Sequence, residues 1–252
     1  MKVLAVCNQK GGVGKTTTAS ALMSGLTEKG YRVLGADIDP QTNLTISTGA
    51  EVKGTAFEML IGRDGNITDK IDAADAITET PTGDLIPSSD QLANADLYLK
   101  KRGDEYMLKN AIDTIRGEYD FMIIDCPPSL GILTMNAIKA ADYVIIPAQA
   151  DGYSLFGISE LSQTIEDVNP DVKVAGILLT MFNGRTRIAR EVSELLDQLA
   201  AKLDTKVFDT KIRSSVKASE IQFHPVGLFK YAPRATVTQD YAAWIDELLQ
   251  SL

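Results

Sequence analysis

The chain has 252 residues, a formal charge of -9, 44% hydrophobic and 23% charged residues, a profile that excludes disordered, collagen-like and disulfide-rich classes. Two cysteines, Cys7 and Cys126, are too few and too far apart for a disulfide framework or a zinc site, and both border apolar runs, so they read as buried thiols in a reducing cytoplasm. No run reaches the ~18 apolar residues of a membrane span, and "MKVLAVCNQ" turns polar too early for a secretory leader.

Taken in chain order, a strand over Val3–Cys7 meets the loop "NQKGGVGKTTT" and then a helix over Thr16–Lys29. Strand, glycine loop, lysine, threonines and helix in that order are the context a phosphate-binding loop requires. The backbone N–H groups of Gly11, Gly12, Val13 and Gly14 can wrap phosphate oxygens, and the helix adds its positive dipole end. Lys15 is placed to bridge the β- and γ-phosphates, the Thr16 hydroxyl to ligate Mg²⁺, and Thr17 to stand beside it. Lys10, five residues earlier, lies at the outer bend, where it is poorly placed to reach its own ligand.

A strand over Arg32–Asp37 ends in "DIDPQTN", whose two aspartates, Asp37 and Asp39, share a face. Residues Val52–Thr82 show weak periodicity and read as irregular connection with a short helix near Ala56–Ile61. A strand at Asp84–Pro87 and a helix over Asp90–Arg116 follow. The strand Phe121–Asp125, "FMIID", ends in an acid and precedes a helix over Leu130–Ala141. Strands at Tyr143–Pro147, Val174–Thr180 and Lys206–Asp209 alternate with helices at Ser154–Asp167, Ile188–Lys202 and Thr236–Leu252. Near-continuous apolar strands between helices predict an α/β fold, a doubly wound, mostly parallel sheet with helices on both faces. No repeat or linker divides residues 1–252, and the first strand starts too early for a helix-turn-helix extension before it. Ligands in such sheets bind beyond the carboxyl ends of the strands.

Charge is unevenly spread. From Lys173 to Arg234 there are 11 Lys+Arg against 6 Asp+Glu, leaving 14 basic and 28 acidic residues elsewhere. Arg185, Arg187 and Arg190 open one helix, Lys211, Arg213 and Lys217 follow a strand, and Lys230 and Arg234 lie in "FKYAPR". A basic island on an acidic protein suits one face meeting a polyanion. A solvated helix face is the alternative, since Arg187–Glu191 and Arg190–Glu194 have i,i+4 spacing.

"KGGVGKTT", "DIDPQTN" and "DCPPSLG" together resemble the ParA/MinD superfamily of P-loop ATPases, and the likeness covers nearly the whole chain. The resemblance implies ATP and Mg²⁺ as cofactors and an ATP-sandwich homodimer in which Lys10 reaches the partner's phosphates. It implies that Asp39 orients the attacking water, that Gln41 to Thr45 sense the γ-phosphate, and that Asp125 holds Mg²⁺ through water, with Thr16 and Asp39 on the metal side. Asp37 would support the site by hydrogen bonds, and Thr42 stands where many members carry glycine. Pro127 and Pro128 would stiffen the following loop, with Gly131 as its hinge.

Within that superfamily the basic island resembles ParA-type partition ATPases, whose ATP dimer binds DNA nonspecifically and is triggered by a ParB-like or other partner protein. The usual "IPR" is replaced here by "IRS". Met181 and Ile212, with Arg213, are the candidates for adenine contact. The implied location is cytoplasmic, on the nucleoid when ATP is bound. A MinD-like spatial regulator is disfavoured because "ATVTQDYAAWIDELLQSL" has no basic residue. Its Tyr241, Ile245, Leu248, Leu249 and Leu252 form a core-facing stripe, and Asp240, Asp246 and Glu247 would be repelled by an anionic membrane. The nitrogenase iron protein is also a superfamily member, but neither cysteine here lies in a separate exposed loop. A metabolic or metal-handling ATPase on the same fold is the remaining rival.

Overall fold

The computed structural model describes residues 1–252. Its single six-stranded sheet is all parallel and contains β1 (Lys2–Val6), β2 (Val33–Asp37), β3 (Asp84–Ile86), β4 (Phe121–Asp125), β5 (Tyr143–Ala148) and β6 (Lys173–Leu179), in the spatial order β3-β2-β4-β1-β5-β6. Alternation along each strand splits the core in two: Val3, Ala5 and Cys7 face one layer, Leu4 and Val6 the other. Register then places Val6, Asp125 and Asp37 side by side at the carboxyl ends of three adjacent strands.

One face is covered by α1 (Lys15–Glu28), α2 (Asn43–Thr48), α10 (Val216–Glu220), α11 (Leu228–Tyr231) and α12 (Thr236–Ser251). Against the other lie α3 (Ala56–Leu60), α4 (Ala73–Ala76), α5 (Ala95–Tyr98), α6 (Met107–Asp113), α7 (Ile132–Ala140), α8 (Gly152–Val168) and α9 (Arg187–Lys202). Tyr241, Ile245 and Leu248 of α12 are buried, with Leu249 and Leu252 packed at their edge, so the stripe seen in the sequence is a core face. No helix is long and apolar enough to cross a membrane.

Two expected elements are different. The helix over Asp90–Arg116 is instead a 3₁₀ turn at Asp90–Asn94, α5, a second turn at Asp104–Tyr106, and α6. Gly103 takes a left-handed φ of 104°, and Asn136 of α7 binds the Asp104 carbonyl and the Leu108 amide, each at 3.0 Å. Tertiary hydrogen bonds thus replace the helical ones at the break. Lys206–Asp209 is no full strand, since only Val207 bridges to Ile177 of β6. Phe208 fills the space beside Gly176, where a Cβ would lie 2.7 Å from its ring.

Candidate functional site

The carboxyl ends of the strands open into a cleft of about 460 Å³. Gly11, Gly12, Gly14, Lys15, Thr16 and Thr17 line one end of it, as the sequence predicts. Gly12 and Gly14 have φ of 74° and 84°, a region that only glycine occupies at little cost. Gly14 sits at the N-cap of α1 without a side-chain cap, so the first-turn N–H groups stay available to an anion. The Val13 side chain is fully buried, so what this residue offers a ligand is its backbone. The loop is braced from behind by two residues the sequence reading did not single out. Thr180 donates to the Val13 carbonyl at 2.7 Å, and Gln149 to that of Gly12 at 3.2 Å.

Lys15 is 7% exposed and donates to the Lys10 carbonyl at 3.1 Å. Burial lowers its pKa, with Asp125 and Asp39 partly opposing that shift. Asp37 accepts hydrogen bonds from the Thr45 amide at 2.8 Å, the Thr45 hydroxyl at 2.7 Å and the Asp39 amide at 3.2 Å. It is therefore a support, as expected, although burial, with the Asp39 charge adding to it, raises its pKa to about 6 against those hydrogen bonds. Ser88, just past β3, ties this network together by donating to the Asp39 carbonyl at 2.6 Å and, through its amide, to the Thr45 hydroxyl at 2.9 Å. No motif marks Ser88 in the sequence. Asp39 itself lines the cleft and accepts from the Gln41 amide at 2.9 Å.

Asp125 differs from every other acid in the protein. Both carboxylate oxygens are buried with no partner at full hydrogen-bond geometry, and burial, then the neighbouring Asp37, pushes its pKa well above the usual range against the nearby Thr16 hydroxyl. Asp125 and Asp39 act on the Lys15 ammonium, and both Asp125 oxygens are unsatisfied. That donor set fits a divalent cation. No three His, Cys, Asp or Glu side chains converge as a complete cage; Mg²⁺ is commonly held by one or two carboxylates with waters and phosphate oxygens completing its shell.

Lys10 does not line the cleft. Its ammonium pairs with the carboxylate of Asp151, the N-cap of α8. The two cysteines lie side by side in the core, their sulfurs 3.0 Å apart.

The cleft is also lined by Met181, Ile212 and Arg213, with Ser214, Ser215 and Tyr241, Met181 lying beside Gly14 of the phosphate loop. The Phe182 amide donates to the Ile212 carbonyl at 2.9 Å, which draws the two basic segments beside this wall. The island is less free than its composition suggests. The Lys211 ammonium donates to the Phe208 carbonyl at 2.8 Å, and Arg213 forks onto Asp240. Lys217 pairs with Glu220, Lys230 with Glu28 and Arg187 with Glu191. Arg190 does not pair with Glu194 as its spacing suggested; it, Arg185 and Arg234 are exposed cations with no ion pair.

Comparison with known proteins agrees with this geometry. A family described as an AAA domain matches residues 1–175. Soj, the sporulation initiation inhibitor of Bacillus subtilis, is 39% identical over 248 residues, 95% of each chain. The chromosome partitioning protein ParA of Myxococcus xanthus is 37% identical over 99% of this chain and 88% of its own length. A structure of cobyrinic acid a,c-diamide synthase from Mycobacterium smegmatis with bound ATP analog and magnesium has a TM-score of 0.82 at 36% identity, covering 99% and 95% of the two chains. An ATP complex of a Cyanothece McdA variant carrying an aspartate-to-alanine change has a TM-score of 0.83 at 26% identity, covering 99% and 96%. With its phosphate loop, its two strand-end acids and these near-full-length relatives, the chain belongs to the AAA-domain P-loop family of the Soj and ParA partition proteins.

Proposed function

We propose that this protein is a Mg²⁺-dependent ATPase of the partition type, which pairs on ATP, coats DNA without sequence preference and releases it when a ParB-like or other partner stimulates hydrolysis. The observation that carries the reading is the pairing of a complete phosphate loop with a second lysine held outside its own cleft. A charge that cannot serve its own ligand can serve that of a second copy, where it offsets charge developing on the transferred phosphoryl group.

Within one copy, the loop amides from Gly11 to Thr17 and the N-terminus of α1 hold the phosphates, and Lys15 neutralises them. Thr16 and Asp125 would hold Mg²⁺, with Asp39 on the same side; the ion supplies charge neutralisation of the β- and γ-oxygens. Asp39 orients the attacking water, its geometry set by the Gln41 amide and by Ser88. Residues Gln41 to Thr45 answer to the γ-phosphate through the Thr45–Asp37 bonds. DNA meets the basic island, where Arg185, Arg190 and Arg234 are among the exposed cations that make no ion pair. A cytoplasmic, nucleoid-bound location follows from that activity, in a single domain over residues 1–252.

A metabolic ATPase is the second reading, favoured by the likeness to the Mycobacterium smegmatis synthase. One titration separates the two: ATP turnover and DNA retention, with and without the product of the neighbouring gene. The partition reading expects DNA retention that requires ATP and weakens steeply with salt. Turnover that instead depends on a small-molecule cosubstrate and ignores DNA overturns it. Lys10→Ala should abolish ATP-induced pairing and turnover, whereas Asp39→Ala should still pair on ATP but not hydrolyse it.

A further inference from the structure

The carboxylates of α12 point to a role beyond packing. Asp240 is 9% exposed and accepts three kinds of donor from one residue: the Arg213 amide at 3.0 Å, its Nε at 2.9 Å and a terminal guanidinium nitrogen at 2.6 Å. Seven residues on, and so on the same face of the helix, Glu247 accepts from the Asp209 amide at 2.7 Å and the Thr210 amide at 2.9 Å. The helix thus grips both ends of a five-residue stretch. Ile212 lies inside that stretch, and Ser214 and Ser215 follow it; all three line the same cleft as the phosphate loop.

We infer that Asp240 is a positioning residue for the nucleoside end of the bound nucleotide, acting through Arg213 to Ser215 without touching the ligand; this rests on the nucleotide reading above. Two physical effects combine. The clamp holds a loop that has no strand ladder of its own beyond single bridges at Val207 and Arg213. It also occupies the guanidinium. An unpaired arginine in this wall would be drawn to phosphate in bidentate fashion, whereas the Arg213–Asp240 pair leaves the wall nearly neutral and suited to an uncharged base.

The test compares two ligands that share a diphosphate and differ only in the nucleoside. ADP and inorganic pyrophosphate are titrated calorimetrically with Mg²⁺ into the full chain. Asp240→Ala should weaken ADP about tenfold, the scale of one lost charge-assisted hydrogen bond, and leave pyrophosphate unchanged or tighter. Asp240→Asn keeps volume and one acceptor for the Arg213 amide, so its loss should be smaller and of the same selective kind. Parallel weakening of both ligands, or an unchanged ADP-to-pyrophosphate ratio in both variants, overturns the inference. Wild-type protein with no preference for ADP over pyrophosphate would instead overturn the nucleotide reading, and this inference with it.

Discussion

The ammonium of Lys10 rests on the carboxylate of Asp151, and that same carboxylate caps α8 by accepting from the amides of Tyr153 and Ser154, each at 3.1 Å. One acid therefore holds the lysine and starts the helix. Removing it as Asp151→Ala should cost about 1 kcal/mol of stability through the lost cap. Asp151→Asn caps equally well and should cost only a few tenths, because the ion pair is about a third exposed on both sides. Urea unfolding of both variants checks this; equal losses would mean that the charge, not the cap, matters.

Thr42 is the N-cap of α2 and has a left-handed φ of 56°. A β-branched residue pays for that conformation, at about 1–2 kcal/mol, where glycine does not. Glycine gives back about 0.5–1 kcal/mol in unfolded-chain entropy. Thr42→Gly should therefore raise the unfolding free energy by about 0.5–1 kcal/mol. A shift of the denaturation midpoint to lower denaturant would contradict it.

Asp125 carries two buried oxygens with no partner, an arrangement that costs stability until a cation arrives. Asp125→Asn should leave the melting temperature of the ligand-free protein equal or higher. In wild type, MgADP at a hundredfold excess over its Kd should add about 2.7 kcal/mol. Most of that gain should vanish in the variant. Differential scanning calorimetry with and without MgADP reads both effects, and a lowered ligand-free melting temperature would assign Asp125 a structural role instead.

Burial of Glu247 alone would raise its pKa, but the Thr210 and Asp209 amides, and then the Lys206 charge, outweigh it and hold the carboxyl below its ordinary 4.5. A carboxylate with a depressed folded pKa contributes stability that is present above its unfolded value and lost as pH falls through the folded one. Glu247→Gln should therefore be less stable than wild type at pH 7, with the gap closing as pH drops below 4.5. Stability curves at several pH values check the sign; a gap that widens in acid would refute it.

How much of this was legible in sequence depended on range. The phosphate loop is a local signal: its glycines, lysine and following helix lie within a dozen residues, and the structure reproduces them. The strands were legible because burial on both faces demands unbroken apolar runs, as in "FMIID". The helix over Asp90–Arg116 was not, because its break is made by Asn136, which lies more than thirty residues along the chain. The pairing of Arg213 was hidden for the same reason. Its charge is visible in the sequence, but its partner Asp240 is on the last helix.

The sequence by itself determined the chemistry at hand: which loop wraps phosphate, which acids end strands, and where basic charge collects. Those features follow from residue type and short spacing. Only the tertiary structure decided which charges are free. Parallel register aligned Asp37 with Asp125, and packing of α12 against the cleft wall tied down Arg213. Burial left Asp125 unsatisfied while Asp37 found Thr45. Such pairings depend on distances between residues far apart in the chain, and only the closed fold sets them.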